Sequence, residues 1–402
     1  MSRTPPAPTP TACIAFAATG LPDQSGLRQA FGVPLQVLQA HALSEVRGVV
    51  EAAEAASLAG RWCVGFLAYE AAAAFDAALQ THAPQPGLPL AWFAVYAEPQ
   101  LVDSFDPGQP DAVRADWAPG PPRDTFDADL SALHTAIADG EVYQVNHTAL
   151  LHGTLQAGRP WDLFAALRRE QPAGFGAWID GGDWQVLSAS PELFFDWNCH
   201  QLLMRPMKGT APRHADPQAD AAAAEGLRAS AKERAENVMI VDLVRHDVSR
   251  VAEPHSVRVP RLFHLEPLPT VWQMTSDVQA TTRPDTRLWD LLQALFPCGS
   301  ITGAPKVRAM HHIRQREPSA RGVYCGAIGV LRPGGGATFN VAIRTVLACT
   351  TPGGTALQAG VGSGITWDAQ PAAEWNEWRH KRRFIERASQ PFDLLETLAL
   401  NE

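Results

Sequence analysis

The sequence predicts a fold that combines α-helices with short β-strands, because two kinds of pattern alternate along it. Short apolar runs, such as Trp62 to Tyr69 and Leu90 to Tyr96, are typical of buried strands. An Ala-rich stretch, Leu43 to Leu58, and a longer one, Asp216 to Arg250, have the periodicity of helices. The chain has 402 residues and is 46% hydrophobic, which is enough for a large core or for two domains.

The other predicted elements follow the same two patterns. We expect helices at residues 126–140, 161–169 and 307–314, and strands at residues 141–146, 174–179 and 184–188. The longest helical pattern opens with Asp216 as a cap and Pro217 in its first turn, which are the residue types that begin helices.

Composition and charge exclude several classes of function. The net charge of −9 and the lack of a basic run argue against nucleic-acid binding. The six cysteines lack metal-ligand spacing and suit a reducing compartment. The N-terminus has no signal pattern, and no apolar run reaches the roughly 18 residues of a membrane span. We therefore expect a cytoplasmic protein that binds neither membrane nor nucleic acid.

A predicted β-hairpin places a carboxylate before its first strand and a lysine after its second. Mostly apolar residues, Leu193 to Trp197 and Leu202 to Met204, flank a short polar break. If the loop is centred on His200, Glu192 and Lys208 are cross-strand partners with Cβ atoms about 5 Å apart. The alternative is an ordinary hairpin with a weak surface salt bridge.

Two carboxylates lie on the apolar face of the longest helical pattern. Glu233 and Glu236 are three residues apart and share this face with Met239 and Ile240. Buried carboxylates need a partner, and a cation is the usual one. If the apolar stripe ends one turn earlier, both glutamates are exposed instead.

A second acidic pair, Glu374 and Glu377, has the same spacing, and its face continues through Lys381 and Phe384. Two helices that each offer such a pair could hold one oxygen-preferring ion such as Mg²⁺, with one direct ligand per pair and the others acting through water. The sequence offers no His/Cys set for zinc or another transition metal. A solvated helix face with two charges is the alternative.

Glycine-rich segments at residues 297–306 and 358–365 could bind anions through successive backbone N–H groups, although such segments are more often simple turns. Neither has the spacing of a nucleotide phosphate loop. A third cluster, residues 333–336, reads as a hairpin loop flanked by Tyr324 and Arg344. Arg344 is a candidate for binding a carboxylate through its guanidinium, and a solvated arginine is the alternative.

Taken together, these residues resemble the chorismate-utilising enzyme family from about residue 125 to residue 388. The shared motifs occur in the family's order: Tyr143-Gln-Val-Asn146, Ser190-Pro-Glu192, Lys208-Gly-Thr210, the helix from Glu233 to Arg245, Thr302-Gly-Ala-Pro-Lys306, Ala342-Ile-Arg344, Gly362-Ser-Gly364, and Glu374 to Lys381. Residues 60–96 also look like the N-terminal half found in the anthranilate and aminodeoxychorismate synthase branches.

The resemblance implies an α+β fold of two stacked antiparallel β-sheets with helices outside and an active site in the central cleft. It implies that residues 1–121 contribute to the sandwich and that residues 122–389 form the chorismate-binding catalytic region. Residues 390–402 look like the start of an aminodeoxychorismate lyase domain.

Within the family, the resemblance favours the branch that makes 4-amino-4-deoxychorismate, which leads to 4-aminobenzoate and folate. Isochorismate and salicylate synthases carry a lysine at the position of Gln144, and anthranilate synthases usually carry alanine at that of Lys208. No Gly-x-Cys-x-Gly motif occurs, so a glutamine amidotransferase subunit is the expected source of ammonia, and a lyase is expected downstream. The rival readings are the anthranilate synthase branch and a catalytically inactive subunit that binds the glutaminase.

The resemblance also implies roles for individual residues. Glu192 is the expected general acid and Lys208 the covalent nucleophile. Mg²⁺ is expected on Glu236 and Glu377, with Glu233 and Glu374 nearby. The residues expected to hold the substrate's oxygens are Gly209, Thr210, Tyr324, Arg344, Gly362, Ser363, Gly364 and Lys381. One departure is Gln273, which stands where many relatives have histidine.

Overall fold

The computed structural model describes residues 9–20, 26–100, 113–268 and 271–390. These residues form two antiparallel sheets packed face to face, with helices on the outer faces. This arrangement confirms the α+β fold that the resemblance implies. Within these ranges, every helix is too short or too polar to cross a lipid bilayer.

The strands in chain order are β1 Ala12–Phe16, β2 Leu27–Phe31, β3 Gln36–Ala40, β4 Trp62–Leu67, β5 Ala91–Tyr96, β6 Arg114–Trp117, β7 Gln144–Ala157, β8 Phe175–Asp180, β9 Trp184–Ser190, β10 Leu193–Asn198, β11 Gln201–Arg205, β12 Met207–Pro212, β13 Arg258–Pro267, β14 Val271–Thr281, β15 Gly303–Ala304, β16 Ala327–Leu331, β17 Ala337–Val341, β18 Thr345–Thr351 and β19 Gly354–Ile365. The first sheet has the order β15-β7-β19-β18-β9-β8-β1-β2, with β6 beside β7. The second has the order β12-β14-β11-β10-β17-β16-β4-β5-β3, with β13 beside β14.

The helices are α1 Leu43–Leu58, α2 Ala72–Phe75, α3 Arg123–Ala138, α4 Pro160–Glu170, α5 Pro217–Ala229, α6 Ala231–Ser249, α7 Leu288–Leu295, α8 Lys306–Arg316 and α9 Pro371–Ala388. One apolar core lies between the sheets and includes Ile14 and Leu347 from the first sheet and Phe66 and Ile328 from the second. Two further cores lie under α1, α6 and α7 on the second sheet and under α3, α4 and α9 on the first. The sheets are therefore covered on both faces.

The longest predicted helix is interrupted, so its prediction as one continuous element is wrong. Ser230 separates α5 from α6, and its hydroxyl accepts the Glu233 N–H at 3.3 Å. The expected cap at Asp216 is confirmed, since its carboxylate accepts the Ala219 N–H at 2.8 Å. A serine side chain that bonds to the backbone competes with the helix and favours a new beginning at this position.

The predicted hairpin exists, but its predicted register is wrong. Cys199 and His200 form a two-residue turn with φ values of 47° and 64°, so Asn198 pairs with Gln201. After Pro206, which lacks an N–H, the chain enters β12 and pairs with β14 instead of β10. Glu192 and Lys208 are therefore not cross-strand partners.

The glycine-rich segment at residues 358–365 is the second half of β19 and not a turn that follows a strand. It pairs with β7 without interruption through Ile365. Its glycines provide space: a Cβ on Gly360 would lie 2.2 Å from the Tyr324 ring, and one on Gly362 would lie 2.5 Å from Thr148. The expected hairpin loop at residues 333–336 is confirmed between β16 and β17.

The described part of residues 1–121 supplies strands to both sheets, with β1, β2 and β6 in the first and β3 to β5 in the second. The domain boundaries given above remain predictions. Of the predicted tail at residues 390–402, residues 391–402 lie outside the described residues.

Candidate active site

The candidate site lies where the chain crosses between the two sheets. Glu192 stands between β9 of the first sheet and β10 of the second, and Arg344 stands between β17 and β18 on the way back. The two crossings are held together, because the Val341 N–H donates to the Glu192 carbonyl at 3.1 Å and the Ala189 N–H donates to the Arg344 carbonyl at 3.0 Å. This places a carboxylate and a guanidinium at one end of the sandwich.

The carboxyl group of Glu192 is buried, with 4% of the residue exposed. Its Oε1 accepts the Ser300 hydroxyl at 2.7 Å, and the Met207 N–H also donates to the carboxylate. Burial raises the pKa of Glu192 to about 7, although Ser300 and the Lys208 charge act in the opposite direction. A carboxyl group with this pKa can carry a proton near neutral pH, as a general acid must.

The ammonium group of Lys208 lies beside the last glycine of β19. A Cβ on Gly364 would lie 2.6 Å from Lys208 Nζ and 2.7 Å from Gln144 Nε2. No salt bridge joins Lys208 to Glu192 in the described part of the chain, yet the lysine charge lowers the pKa of that glutamate. Lys208 thus lies close enough to Glu192 for its charge to act on that carboxyl group, without forming a tight ion pair with it.

Gln144 lines the same part of the cleft and is 0% exposed. Neither atom of its side-chain amide has a hydrogen-bond partner among the residues described. Most buried polar groups are hydrogen-bonded, so an orphaned amide next to Lys208 indicates a place for a ligand or water.

The structure places the two acidic residues of α6 on its half-buried face, as the sequence predicts. Burial raises the pKa of both the Glu233 and the Glu236 carboxyl groups. The nearest cation on the same helix is Lys232, whose Nζ lies 3.9 Å from Glu236 Oε1. The helix contacts β12, so these carboxylates are held close to the Lys208 strand.

The acidic pair on α9 is divided between two environments. Glu374 is buried, and its Oε2 has no partner within the described ranges. Glu377 is 47% exposed, and its Oε1 lies 2.6 Å from Lys381 Nζ. Desolvation raises the pKa of Glu374; it also acts on Glu377, but Lys381 outweighs it and the pKa of Glu377 falls.

The two acidic pairs fit a hydrated magnesium ion better than a preformed cage. Glu233 experiences the charges of Glu374 and Glu377, and Glu374 experiences that of Glu236, so the pairs face one another. Among the described residues, no three His, Cys, Asp or Glu side chains stand close enough together to hold a metal. The orphaned Glu374 oxygen and the facing carboxylates agree with Mg²⁺ that keeps several waters.

Arg344 and Lys381 are the two cationic groups that were expected to bind substrate carboxylates. The Arg344 guanidinium stacks 5.2 Å above the Phe384 ring and donates to Gln171 Oε1, but it has no carboxylate partner in the described chain. Burial lowers its pKa to about 10, so it remains charged at neutral pH. Lys381 Nζ donates to the Gly362 carbonyl at 2.6 Å.

The end of β19 offers backbone donors. Pairing with β18 stops at Ala359, while pairing with β7 continues. The Gly362 carbonyl accepts from Lys381, so it points away from β7. N–H and C=O groups of one residue point to the same side of an antiparallel strand, and the sides alternate. The N–H groups of Gly362 and Gly364 therefore point beyond the end of β18, toward the cleft.

The remaining predicted substrate-binding residues differ in their burial and in their hydrogen-bond partners. The Tyr324 ring packs against Gly360, and burial raises the pKa of its hydroxyl. Gly209 has a φ of +92°, and Thr210 is exposed, with its hydroxyl bonded to Gln273. The Ser363 hydroxyl accepts the Trp378 N–H at 3.1 Å, which turns this side chain toward α9.

Sequence reasoning did not identify Ser300, which holds Glu192. The segment at residues 297–306 was assigned as a possible anion loop, and the signal was its Gly-Ser-Ile-Thr-Gly composition. Lys306 from the same segment is occupied by Asp247 at 2.8 Å and by the Leu295 carbonyl at 3.0 Å. The segment thus positions the Glu192 carboxyl group through Ser300, and its Lys306 is not free to bind an anion.

Comparisons with known proteins agree with this geometry. Over 292 residues, the chain is 40% identical to "Aminodeoxychorismate synthase component 1" of Klebsiella aerogenes, a match that covers 73% of this chain and 62% of that relative. It is 41% identical over 248 residues to "Anthranilate synthase component 1" of Streptomyces coelicolor, which covers 61% of this chain and 48% of the relative. The chain thus spans about three fifths or less of the length of these relatives.

The fold is also that of solved structures. Anthranilate synthase component I from Streptococcus pneumoniae superimposes with a TM-score of 0.72 at 22% identity, covering 97% of this chain and 94% of the other. Residues 23–387 match the family described as "chorismate binding enzyme". The chain therefore belongs to the chorismate binding enzyme family.

Proposed function

We propose that this chain is the chorismate-converting subunit of an aminodeoxychorismate synthase, which replaces the ring hydroxyl on carbon 4 of chorismate by an amine. The observation that carries this proposal is the position of Lys208, beside Gly364 and Gln144 and near enough to the protonatable Glu192 for its charge to act on that carboxyl group. The similarity to the Klebsiella aerogenes relative supports the same activity.

The first step is binding of a dicarboxylate. Arg344, Lys381 and the N–H groups of Gly362 and Gly364 supply donors for carboxylate oxygens. The carboxylates of Glu236 and Glu377, with Glu233 and Glu374 behind them, would hold Mg²⁺, which would neutralise charge and bind the ring carboxylate. These residues orient the ring between Glu192 and Lys208.

The chemical steps use the two groups that face each other. Lys208 first loses its ammonium proton to solvent. Its neutral amine then adds to ring carbon 2 while Glu192 gives its proton to the hydroxyl on carbon 4, which leaves as water. Ammonia adds to carbon 4 and the neutral lysine amine leaves carbon 2, so the ring diene is restored. The added ammonia gives up one proton, which restores Glu192, and the net change is chorismate plus ammonia to 4-amino-4-deoxychorismate plus water.

A partner supplies the ammonia in this proposal. The relatives are named component 1, a name that refers to a second component in those proteins. We assign that role here to a glutamine amidotransferase subunit, and the product then passes to an aminodeoxychorismate lyase that forms 4-aminobenzoate for folate synthesis.

The rival activity is anthranilate synthesis, which the Streptomyces coelicolor relative favours. The two activities are separated by what the purified chain makes from chorismate, Mg²⁺ and ammonium. Mass spectrometry is expected to show 4-amino-4-deoxychorismate, converted to 4-aminobenzoate and pyruvate only when a lyase is added. Direct appearance of fluorescent anthranilate and pyruvate would overturn the proposal, and unconsumed chorismate would favour an inactive subunit.

Two variants of the lysine separate its charge from its nucleophilicity. Lys208→Ala removes both, whereas Lys208→Arg keeps a cation that cannot act as a neutral amine near pH 7. We expect both to abolish formation of aminodeoxychorismate. Activity retained in the arginine variant would show that Lys208 acts through its charge and not as a nucleophile.

A further inference from the structure

Gln273 lies on β14 directly opposite Thr210 of β12. Both polar atoms of its side-chain amide form hydrogen bonds. Its Nε2 donates to the Gly209 carbonyl at 2.8 Å, and its Oε1 accepts the Thr210 hydroxyl at 3.1 Å. The residue is 8% exposed. One buried side chain thus bonds to both residues that follow Lys208.

The strand needs such support because its ladder is irregular at this point. Met207 pairs with Thr275 and Thr210 pairs with Gln273, so β12 has one extra residue between these two pairs. Lys208 and Gly209 occupy this bulge, and Gly209 has a φ of +92°. A bulge redirects a side chain but leaves backbone groups without ladder bonds.

The two carbonyl groups of the bulge are held from opposite sides. Asn237 of α6 donates to the Lys208 carbonyl at 3.4 Å, and it is itself fixed by the Ser276 hydroxyl at 2.6 Å. Gln273 holds the Gly209 carbonyl at the shorter distance of 2.8 Å. Gln273 therefore provides the stronger of the two side-chain bonds that fix the bulge.

The pairing of Gln273 also distinguishes it from Gln144. Both are buried amides near Lys208, but Gln144 has no partner within the described residues, whereas both polar atoms of Gln273 bond to β12. A group whose amide is occupied in this way acts on the strand and not on a bound ligand.

We propose that Gln273 is a positioning residue, which locks the Lys208–Gly209 bulge and thereby aims the Lys208 amine at the substrate. This inference rests on the proposed function for its catalytic consequence and on geometry alone for the position of the lysine. Small errors in the position of a reacting group are costly, since a displacement of about 1 Å can reduce a rate about a hundredfold.

The test compares three variants on β14. Gln273→Met keeps the shape and removes both bonds. Gln273→Glu keeps the acceptor for Thr210 but replaces the donor to Gly209 by an oxygen. Gln279→Met, on the same strand and roughly 20 Å away, is the matched control. Unfolding midpoints identify any variant that fails to fold, and the isosteric glutamate variant provides the result if the methionine variant does not fold.

For both Gln273 variants we expect kcat with ammonium to fall between about tenfold and a hundredfold, with KM for chorismate changed by about twofold or less. KM is preserved because the carboxylate-binding groups lie on other elements. The control variant is expected to keep both parameters. The proposal would be overturned if kcat were unchanged in both Gln273 variants. It would also be overturned if the only effect were a higher KM for chorismate.

A second measurement does not depend on activity. The chain contains only four lysines, at 208, 232, 306 and 381, so modification by an amine-reactive reagent can be followed for each by peptide mass spectrometry. Release of the bulge should raise the labelling rate of Lys208 at least about threefold relative to that of Lys232. An unchanged ratio would overturn the positioning role, whereas failure of the wild-type chain to make aminodeoxychorismate would overturn only the proposed function.

Discussion

Two regions of this molecule contain buried charged groups. In one region these groups are paired within the protein, and in the other some of them lack partners among the described residues. Arg321 is 1% exposed and fully paired: it bonds to both Glu317 oxygens at 2.7 and 2.8 Å and to the carbonyl groups of Ile301 and Asn146. Glu70 accepts the N–H groups of Arg321 and the following glycine. Every charge in this region has its partners within the protein.

The cleft retains similar groups without completing their bonds. One oxygen of Glu374 and both amide atoms of Gln144 lack partners in the described chain, and Arg344 lacks a carboxylate. Lys208 and Glu192 face each other without a salt bridge. The difference teaches that burial alone does not mark a functional charge. Buried polar or charged groups that lack hydrogen-bond partners within the protein are a better indication of a functional site, because a ligand can supply the missing partners.

The largest expected effect tests the acid group of the cleft. Glu192→Gln keeps the shape but cannot donate a proton, so the rate of chorismate conversion should fall about 10²- to 10⁴-fold. The free energy of unfolding at pH 8 should not decrease, because a buried charge is removed. Steady-state kinetics and urea unfolding measure the two effects, with the exposed Glu51→Gln as control. If Glu192→Gln instead lost activity because it unfolded, Glu192 would behave like the structural charges around Arg321, and the contrast between the two regions would fail.

Arg321→Met tests the paired region and should do the reverse. Removing one partner of a buried pair leaves the Glu317 charge uncompensated, and we expect a loss of about 3–5 kcal/mol in the free energy of unfolding. Arg47→Met removes an exposed helical pair with Glu51 and should cost about 1 kcal/mol or less. Equal losses in the two variants, measured by urea unfolding, would show that the Arg321 network contributes no special stability.

The pH dependence sharpens the comparison through Glu192. Its pKa in the folded protein is raised to about 7 from an ordinary value of 4.5. The stability associated with its neutral form is therefore complete below about pH 4.5 and is lost as the pH rises toward 7. Glu192→Gln should remove this share of the pH dependence, which urea unfolding at several pH values measures.

The contribution of Glu192 to activity should also decrease as the pH rises. A general acid must be protonated, so the contribution of Glu192 to kcat/KM for chorismate should decline as the pH rises above about 7. The ratio of kcat/KM in the wild type to that in Glu192→Gln, measured at a constant concentration of free ammonia, isolates this contribution from the need for a neutral amine. A ratio that stays flat or rises between pH 6.5 and pH 8.5 would be inconsistent with Glu192 as the acid.

Among the substitutions at site residues, the one in the acidic pairs should have the smallest effect on activity, because added Mg²⁺ can offset it. Removal of Mg²⁺ by a chelator should abolish turnover, and Glu236→Gln should raise the concentration of Mg²⁺ for half-maximal activity by about tenfold. Saturating Mg²⁺ should also raise the unfolding midpoint of the wild-type chain more than that of the variant. A chelated protein with full activity would remove the metal from the proposal.

Sequence patterns predicted those features of the fold that depend on local order. The helix Leu43–Leu58 begins and ends as predicted, since its second half is rich in Ala and Glu, which favour a helix and outweigh Gly48 in the first half. The break at Ser230 was not predicted, because the residues on both sides favour a helix equally. The turn between β10 and β11 was predicted, but its register was not, since neither Cys199 nor His200 is one of the glycines or asparagines that usually mark a positive φ.

Tertiary contacts explain what the sequence could not predict in the site. The Glu-x-x-Glu pairs were visible because spacing alone puts both members on one helix face. The role of Ser300 beside Glu192 depends on two segments 108 residues apart, and no local pattern reports it. The glycines of β19 were interpreted as a turn signal, whereas they make room for Tyr324 and Thr148.

The two crossings between the sheets have a consequence for variation far from the cleft. Glu192 and Arg344 each stand at a point where the chain leaves one sheet and enters the other. The relative position of the Glu192 carboxyl group and the Arg344 guanidinium therefore depends on how the two sheets pack together and on the hydrogen bonds that join the crossings. Changes of side-chain volume in the core between the sheets, at Phe66 or Ile328 for example, can tune turnover without altering a residue that touches the substrate.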